Sequence, residues 1–594
     1  MIVPMQHVTI LCLENDKKQT LEVLRELGLL HITQSSVPPE THAAETDAVR
    51  QVEQALDALE LAHTHIHDEP ATPTSPPQPS NILDLVTELL HRQHAVEEQL
   101  TDCHHQKHII EPFGNFDPAC LDDLRAKGIH VKLLRVSDPQ TLAVPEGVVV
   151  REISNSNNGH CMVAISQQEF EIDGSIAALP EKSLAEIETE LDALQTELAD
   201  IHAELCELSV HIETLQKERL KRKDQLAFVR TQAALAEHGK IVSLAGFCPR
   251  KKLENIWQVA NQHGWAITAR DPKPGEDVPT LLQMPRWVEP IKAVFQVISI
   301  LPGYWEADIS SIFLIFFSIF FAILIGDAGY GLLFLAITIF ARLKLPKAPA
   351  YPFVLFAILS TTTLIWGSLT GNWFGIEPGS LPALLRVPHL DVFKGAEARE
   401  LVIRICFIIG ALHLTVAHIW NAIALAPALK ALAQIGWIGL VWSMYFTALN
   451  LVLAEPVPAF FAPMLIVSVV LILLFMTAPK DFKSDWIHHA MFPLSMVNCF
   501  VDIVSYIRLF AVGLASLSVA ASFNDMAMEI GFSRIWTVPV FALILLLGHG
   551  LNIVLCALGI LVHGVRLNTL EFSMHKNVEW KGFAYKPFAR ISQE

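Results

Sequence analysis

The chain has 594 residues, 52% of them hydrophobic and 18% charged, and a net charge of −18. An acidic balance of that size speaks against nucleic acid as a partner. The nine cysteines form no Cys-x-x-Cys pair, which suits a reducing compartment and argues against a disulfide framework or a zinc site. Up to about Pro290 the sequence is charged and helically patterned. From about Ile309 it is a series of apolar runs, each about the 20 residues that cross a bilayer. The expected class is a polytopic α-helical membrane protein with a large soluble N-terminal part. Met1 onward has no basic segment followed by an apolar one, so export by a cleaved signal is not expected.

In chain order, Val8–Leu13 is rich in β-formers, Lys17–Leu27 carries helical periodicity, Gly28 stops it, and Leu29–Thr33 is extended again. A similar unit returns at Ile241–Gly246, with a helix around Leu253–His263 and a strand at Trp265–Ala269. Together, residues 1–45 and 239–290 predict a small proximal α/β lobe of split βαβ type. Residues 46–112 predict outgoing helices, through Val49, Val52, Leu56 and Leu59 and again through Ile82–Leu100, with a proline-rich break at 69–80. Residues 181–238 return. Leu184, Ile187, Leu191, Leu194, Leu198, Ile201, Leu205, Leu208, Ile212 and Leu215 alternate spacings of three and four, a heptad seam. The reading is an antiparallel coiled coil with a distal α/β lobe at its tip, residues 113–180, whose β-rich pieces are Gly128–Val136 and Val148–Ile153. A plain helical bundle explains the heptads but not the two flanking α/β units.

The membrane domain, residues 300–568, reads as eight spans: about 309–326, 328–343, 352–375, 401–424, 432–454, 458–477, 490–523 and 536–567. A tail follows at 569–594. Arg342, Lys344, Lys347, Lys430, Lys480, Lys483 and the basic residues from Arg566 to Arg590 then share one side. The positive-inside rule makes that side cytoplasmic, together with the N-terminal domain and the C-terminus. The opposite loop holds Arg386, Lys394 and Arg399, which weakens the bias without reversing it. The expected location is the cell (inner) membrane.

Arg508 stands well inside the seventh apolar run. Its guanidinium stays protonated, and a charge at membrane depth costs at least about 2.5–3.5 kcal/mol on insertion scales. Its default reading is therefore a site on an ion or substrate path. The small residues after it, Ala511, Gly513, Ala515, Ser516 and Ser518, allow another helix to come close or slide past. In the last span His549, Asn552, Cys556, Gly559, His563 and Arg566 recur every three or four residues, on one helix face. Arg566 alone reads equally well as a snorkelling residue, and its alignment with His563 favours a role beside Arg508. Asp502 and Ser505 precede Arg508, and Asp485, His488 and His489 stand at the mouth of the same span. Such groups hold water and pass protons, or are ordinary juxtamembrane residues. His413, His418, Asn421 and Asn498 read as polar groups that satisfy one another between helices. Asp327 lies in a glycine-rich reversal. The spacing of Cys103, His104, His105 and His108 fits no metal site, and no phosphate-binding or nucleophile-elbow motif occurs, so neither metal, cofactor nor catalytic site is expected on this chain.

This combination resembles the a subunit of V-type and A-type rotary ATPases, called subunit I in bacteria and archaea. The segments that carry the resemblance are Ser505–Ala515 around Arg508, the reversal Phe320–Gly331, Gly371–Gly375, Gly246–Pro249 and the tail His563–Leu567. The resemblance implies a stator beside a rotating ring of small subunits, each bearing an ion-binding carboxylate. It implies two offset half-channels, with Arg508 between them and Arg566 and His563 beside it. Asp485, His488, His489, Asp502, Ser505, His549, Asn552 and Asp327 are the candidate half-channel residues. It also implies peripheral stalk subunits on the arm, a central stalk connecting the rotor, and an ATPase head on other chains. The family pattern leads us to expect an acid along the eighth span. None lies between Pro539 and Arg566, which leaves His549, Asp327 or Glu455 for that place.

The alternatives are a secondary ion transporter with a regulatory coiled coil, or a membrane tether for peripheral partners. A transporter predicts internal repeats and paired broken helices, which the sequence lacks. A tether does not need Arg508. The expected ion is H⁺ or Na⁺.

Overall fold

The structure is a computed structural model. It describes residues 1–33, 42–64, 79–136, 142–156, 159–172, 181–376, 382, 395–477, 486–531, 534 and 536–590. Arg386, Lys394, Lys480, Lys483, Asp485 and most of the proline-rich break fall outside them, as does the side chain of His488.

The N-terminal part runs β1 (Met5–Leu13), α1 (Lys17–Leu27), β2 (His31–Ile32), α2 (Ala43–Thr64), α3 (Pro79–Ile110), α4 (Ala119–Ala126), β3 (His130–Val136), β4 (Val149–Ser156) and β5 (Gly159–Ser166). It continues with α5 (Leu184–Leu208), α6 (Ile212–Ala233), β6 (Ala236–His238), β7 (Ile241–Pro249), α7 (Leu253–His263) and β8 (Ala266–Arg270). One sheet has the order β2-β7-β1-β8, with β6 paired to β7. β7 thus lies between β1 and β2, the strands of the first βαβ unit. Gly28 ends α1 at φ 59°, a left-handed conformation that a residue with a Cβ rarely adopts.

A second sheet is antiparallel, β3-β5-β4. β5 is a strand that the sequence pattern did not single out. Its alternation of small and apolar residues, Gly159–Ser166, is short and weak.

Two compact units divide the chain: Met1–Thr9, Ala245–His263 and Ile267–Pro587 form one, and Ile10–Leu244, Gly264–Ala266 and Phe588–Glu594 the other. In the second, Ile187, Leu191, Leu194, Ile201, Leu205 and Leu215 are buried in one core with Val52, Leu56, Leu59, Val86 and Val96. The returning arm is not one helix, since a 3₁₀ turn at Ser209–His211 separates α5 from α6.

α5 starts at a reciprocal cap. Ser183 N donates to Glu186 Oε2 (2.9 Å), and Ser183 Oγ accepts from Glu186 N (3.4 Å). The Ser183 amide and hydroxyl hold the Glu186 carboxyl below its ordinary range. That contribution is present above the unfolded pKa and fades as the pH falls through the lower folded value. Ser183→Ala is expected to remove about 1 kcal/mol from this helix end. Amides at the start of α5 should then exchange with solvent about fivefold faster, and unchanged exchange would show the cap to be idle.

The first unit carries the apolar helices: α8 (Lys292–Val297), α9 (Ser310–Ile325), α10 (Ala328–Lys344), α11 (Ala350–Thr370), α12 (Ala396–Leu425), α13 (Lys430–Leu453), α14 (Phe461–Phe475), α15 (Trp486–Ser505), α16 (Ile507–Ile530), α17 (Thr537–Gly559) and α18 (Ser573–Lys576). Among the described residues, five helical stretches are long and apolar enough to cross a membrane. They are Ala350–Thr370, Glu397–Leu425, Lys430–Leu453, His489–Ile530 and Thr537–Lys576. Of the eight expected spans, the first and sixth correspond to the shorter apolar helices Ser310–Ile325 and Phe461–Phe475. The second corresponds to α10, 17 residues ending in Arg342 and Lys344. The last stretch runs on past the expected end at 567 to Lys576, through π-helical segments at Ile560–Gly564 and Leu567–Phe572.

Candidate functional site

α15 and α16 are separated by a single residue, the fully buried Tyr506. A helix end leaves carbonyls without intrahelical partners. Arg508 meets one of them: its Nε donates to Ser505 O at 3.0 Å. Its Nη2 donates to Glu571 Oε1 at 2.7 Å. Arg566 approaches the same oxygen, with Nε at 3.5 Å. The Glu571 side chain is 4% exposed, against 25% for Arg508 and 50% for Arg566. Glu571 Oε2, Asn568 Oδ1 and His563 Nδ1 are buried without a hydrogen-bond partner among the described residues.

Glu571 was missed by sequence reading, because it lies beyond the apolar run ending near 567. Its signal was present but weak: a lone acid among apolar neighbours, five residues after Arg566. In an α-helix residues five apart stand about 140° round the axis, on different faces. The π-helical turn at Leu567–Phe572 hydrogen-bonds residues five apart and brings them close. The two other acids weighed for that place, Asp327 and Glu455, have partners of their own. Asp327 caps α10, accepting from Gly329 N (2.7 Å), Tyr330 N (3.1 Å) and Gly375 N (3.2 Å). Glu455 is paired with Arg404.

Asp502 and, beyond Arg508, His549 and Asn552 belong to two polar networks, one reached from α15 before the break at Tyr506 and the other from α16 after it. On one side, Asp502 Oδ2 lies 3.1 Å from His575 Nε2, and His575 Nδ1 lies 2.9 Å from His418 Nε2. His418 Nδ1 is in turn 2.8 Å from Gln434 Oε1. These groups, with Asn421 and Asn498, line a cavity of about 270 Å³. Lys576 Nζ donates to Asn421 Oδ1 at 2.7 Å. Ser505 Oγ turns back to Asp502 O (2.6 Å), and His489 Nε2 lies 3.2 Å from Leu473 O, at the start of the same helix.

The other network joins α10, α16 and α17. Ser516 lies eight residues beyond Arg508, about 12 Å along the axis, and its carbonyl accepts from Asn552 Nδ2 at 3.0 Å. Asn552 Nδ2 also donates to Tyr330 Oη (3.1 Å), which stands 2.7 Å from His549 Nδ1. His549 Nε2 is 3.1 Å from Asn524 Oδ1, an acceptor, so Nε2 carries the ring proton and Tyr330 donates to Nδ1. The site thus holds a fixed cation at a helix break, a buried carboxylate beside it, and a chain of proton donors and acceptors on each side. Among the described residues no group of three His, Cys, Asp or Glu is placed to hold a metal ion.

No family model matches the chain. Among curated proteins it is 31% identical, over 100% of both chains, to the V-type ATP synthase subunit I of Borreliella burgdorferi. It is 29% identical to V-type ATP synthase subunit I 1 of Treponema pallidum, over 99% of this chain and 100% of that one. It is 25% identical to the A-type ATP synthase subunit I of Methanocaldococcus jannaschii, over 70% of this chain and 64% of that one. Among solved structures, the cytoplasmic N-terminal domain of a V-ATPase subunit I is matched at 16% identity and a TM-score of 0.22, over 44% of this chain and all of that one.

Proposed function

Since the chain belongs to the subunit I family of V-type and A-type ATP synthases, we propose that it is the stator of a rotary ATPase, guiding ions past a rotating ring. The observation that carries this reading is Arg508, held at a helix break between two separate polar networks. The Asp502–His575–His418 cavity is one half-channel and the Tyr330–His549–Asn552 network belongs to the other. Between them the Arg508 cation favours the ionised form of a passing ring carboxylate and repels a cation moving straight from one network to the other. The ion, H⁺ or Na⁺, then travels round the ring, and ion flow is coupled to rotation. ATP is hydrolysed or made on other subunits.

In this reading all eight apolar segments lie in the bilayer of the cell (inner) membrane, the shorter ones tilted or set among neighbours. The N-terminal arm, an antiparallel coiled coil between two α/β lobes, is cytoplasmic with the C-terminus and binds peripheral stalks. The ring and the central stalk are the moving partners. The test is ATP-driven ion uptake by vesicles holding the assembled complex, with Arg508→Ala. Loss of uptake, with assembly and uncoupled ATP hydrolysis partly retained, is the expected outcome. Unchanged uptake would sink the reading in favour of a tether.

A further inference from the structure

We propose that Glu571 is a positioning residue: its buried carboxylate holds both guanidinia, Arg508 and Arg566, in register on the ion path. This rests on the reading of Arg508 above and goes beyond it.

Three independent features of the geometry point to it. One oxygen, Oε1, serves both arginines, at 2.7 Å from Arg508 and 3.5 Å from Arg566. The carboxylate is the least exposed of the three groups, so it is the anchor and the arginines are the arms. Lastly, the helix changes register just here. The π-helical turn Leu567–Phe572 begins at the residue after Arg566 and ends at the residue after Glu571. Departures of this kind concentrate at functional sites.

The anchor is itself pinned. Phe572 stacks on His413 with centroids 4.4 Å apart and rings 10° from parallel. His413 Nδ1 is 2.8 Å from Tyr506 Oη, the residue that forms the helix break. Ser573 Oγ donates to Asn568 O at 2.8 Å and accepts from Trp580 Nε1 at 2.9 Å. Glu571 is therefore set by its backbone, and the long, rotamer-rich arginine stems are set by Glu571.

Charge gives the pairing a second consequence. Two guanidinium charges against one carboxylate leave one positive charge for a passing ring carboxylate. Without the carboxylate two would remain, and Arg508 would keep only its bond to Ser505 O. A cation that holds an ion too strongly, or wanders from the path, lowers the number of ions moved per ATP.

The test is Glu571→Gln in the assembled complex in vesicles, read as ions taken up per ATP hydrolysed. That ratio does not depend on how much complex assembles, so a residue that only supports folding leaves it unchanged. The expected result is normal assembly with the ratio reduced about tenfold or more, since a misplacement of about 1 Å at a reacting charge costs up to about 10²-fold. Glu571→Asp, which keeps the charge, should recover part of the loss. A wild-type ratio in Glu571→Gln overturns the proposal. So does failure of this isosteric variant to assemble, because the carboxylate would then be structural. The Arg508→Ala control separates the two levels. If it too keeps the wild-type ratio, the ion-path reading has failed. If it abolishes uptake while Glu571→Gln does not, only the positioning role has.

Discussion

Arg508→Lys should abolish ATP-driven ion uptake about as fully as Arg508→Ala, although it keeps the charge. Arg508 uses two different nitrogens for two partners in different directions, Nε for Ser505 O at 3.0 Å and Nη2 for Glu571 at 2.7 Å. The guanidinium presents these donors in one rigid plane, whereas an ammonium is a single point on a flexible stem. Lysine at 508 can follow the carboxylate or the carbonyl, but not both. Its charge then sits elsewhere along the path, and misplacement by about 1 Å is worth up to about 10²-fold in rate. The expected outcome is a loss of uptake of about 10²-fold with the complex assembled. Retention of more than about a tenth of wild-type uptake would mean that charge alone suffices and that the fork geometry is incidental.

Gly367→Ala should prevent the membrane part from folding and the complex from assembling. A Cβ at Gly367 would lie 2.1 Å from Ala328 N and 2.6 Å from Asp327 C. Those are backbone atoms of the reversal between α9 and α10, so no rotamer change relieves the contact. The helices must part, and with them a closed set of hydrogen bonds: Asn372 N to Gly367 O, Ala328 N to Asn372 O (both 2.9 Å) and Gly375 N to Asp327. Overpacking by one methyl usually costs about 1–3 kcal/mol, and more where backbone must move. Gly550 supplies the control. It lies in α17 with nothing within 4 Å of an added Cβ, so Gly550→Ala should leave assembly intact or raise it slightly. The comparison is the yield and thermal midpoint of detergent-extracted complex. Equal yields for the two variants would show that α11 accommodates the methyl.

The segments of known family type meet one another at these contacts. The reversal around Asp327 and the loop Gly371–Gly375 are separate in sequence, and the carboxylate of Asp327 ties one to the other through Gly375 N. Asp327, read as a possible half-channel acid, spends its oxygens on backbone amides. The partner in Gly375 is not legible in the sequence, because it lies 48 residues further on.

What the sequence determined by itself is whatever depends on local period and on the cost of burying charge. Ten apolar residues at spacings of three and four mark the returning arm, and all ten join one core. Arg508 could be singled out because an always-charged group inside an apolar run is costly wherever its partners lie. What only the tertiary structure decided is which groups that charge meets. Glu571 is 63 residues from Arg508, His575 is 73 from Asp502, and His549 is 219 from Tyr330. No local pattern encodes such pairings, because they follow from how whole helices cross. The π-helical turn after Arg566 adds a change of period that the α-helical stripe through His549, Asn552 and His563 does not anticipate. It carries a residue five positions on to the same site, and so brings an acid from beyond the expected last span beside Arg508 and Arg566.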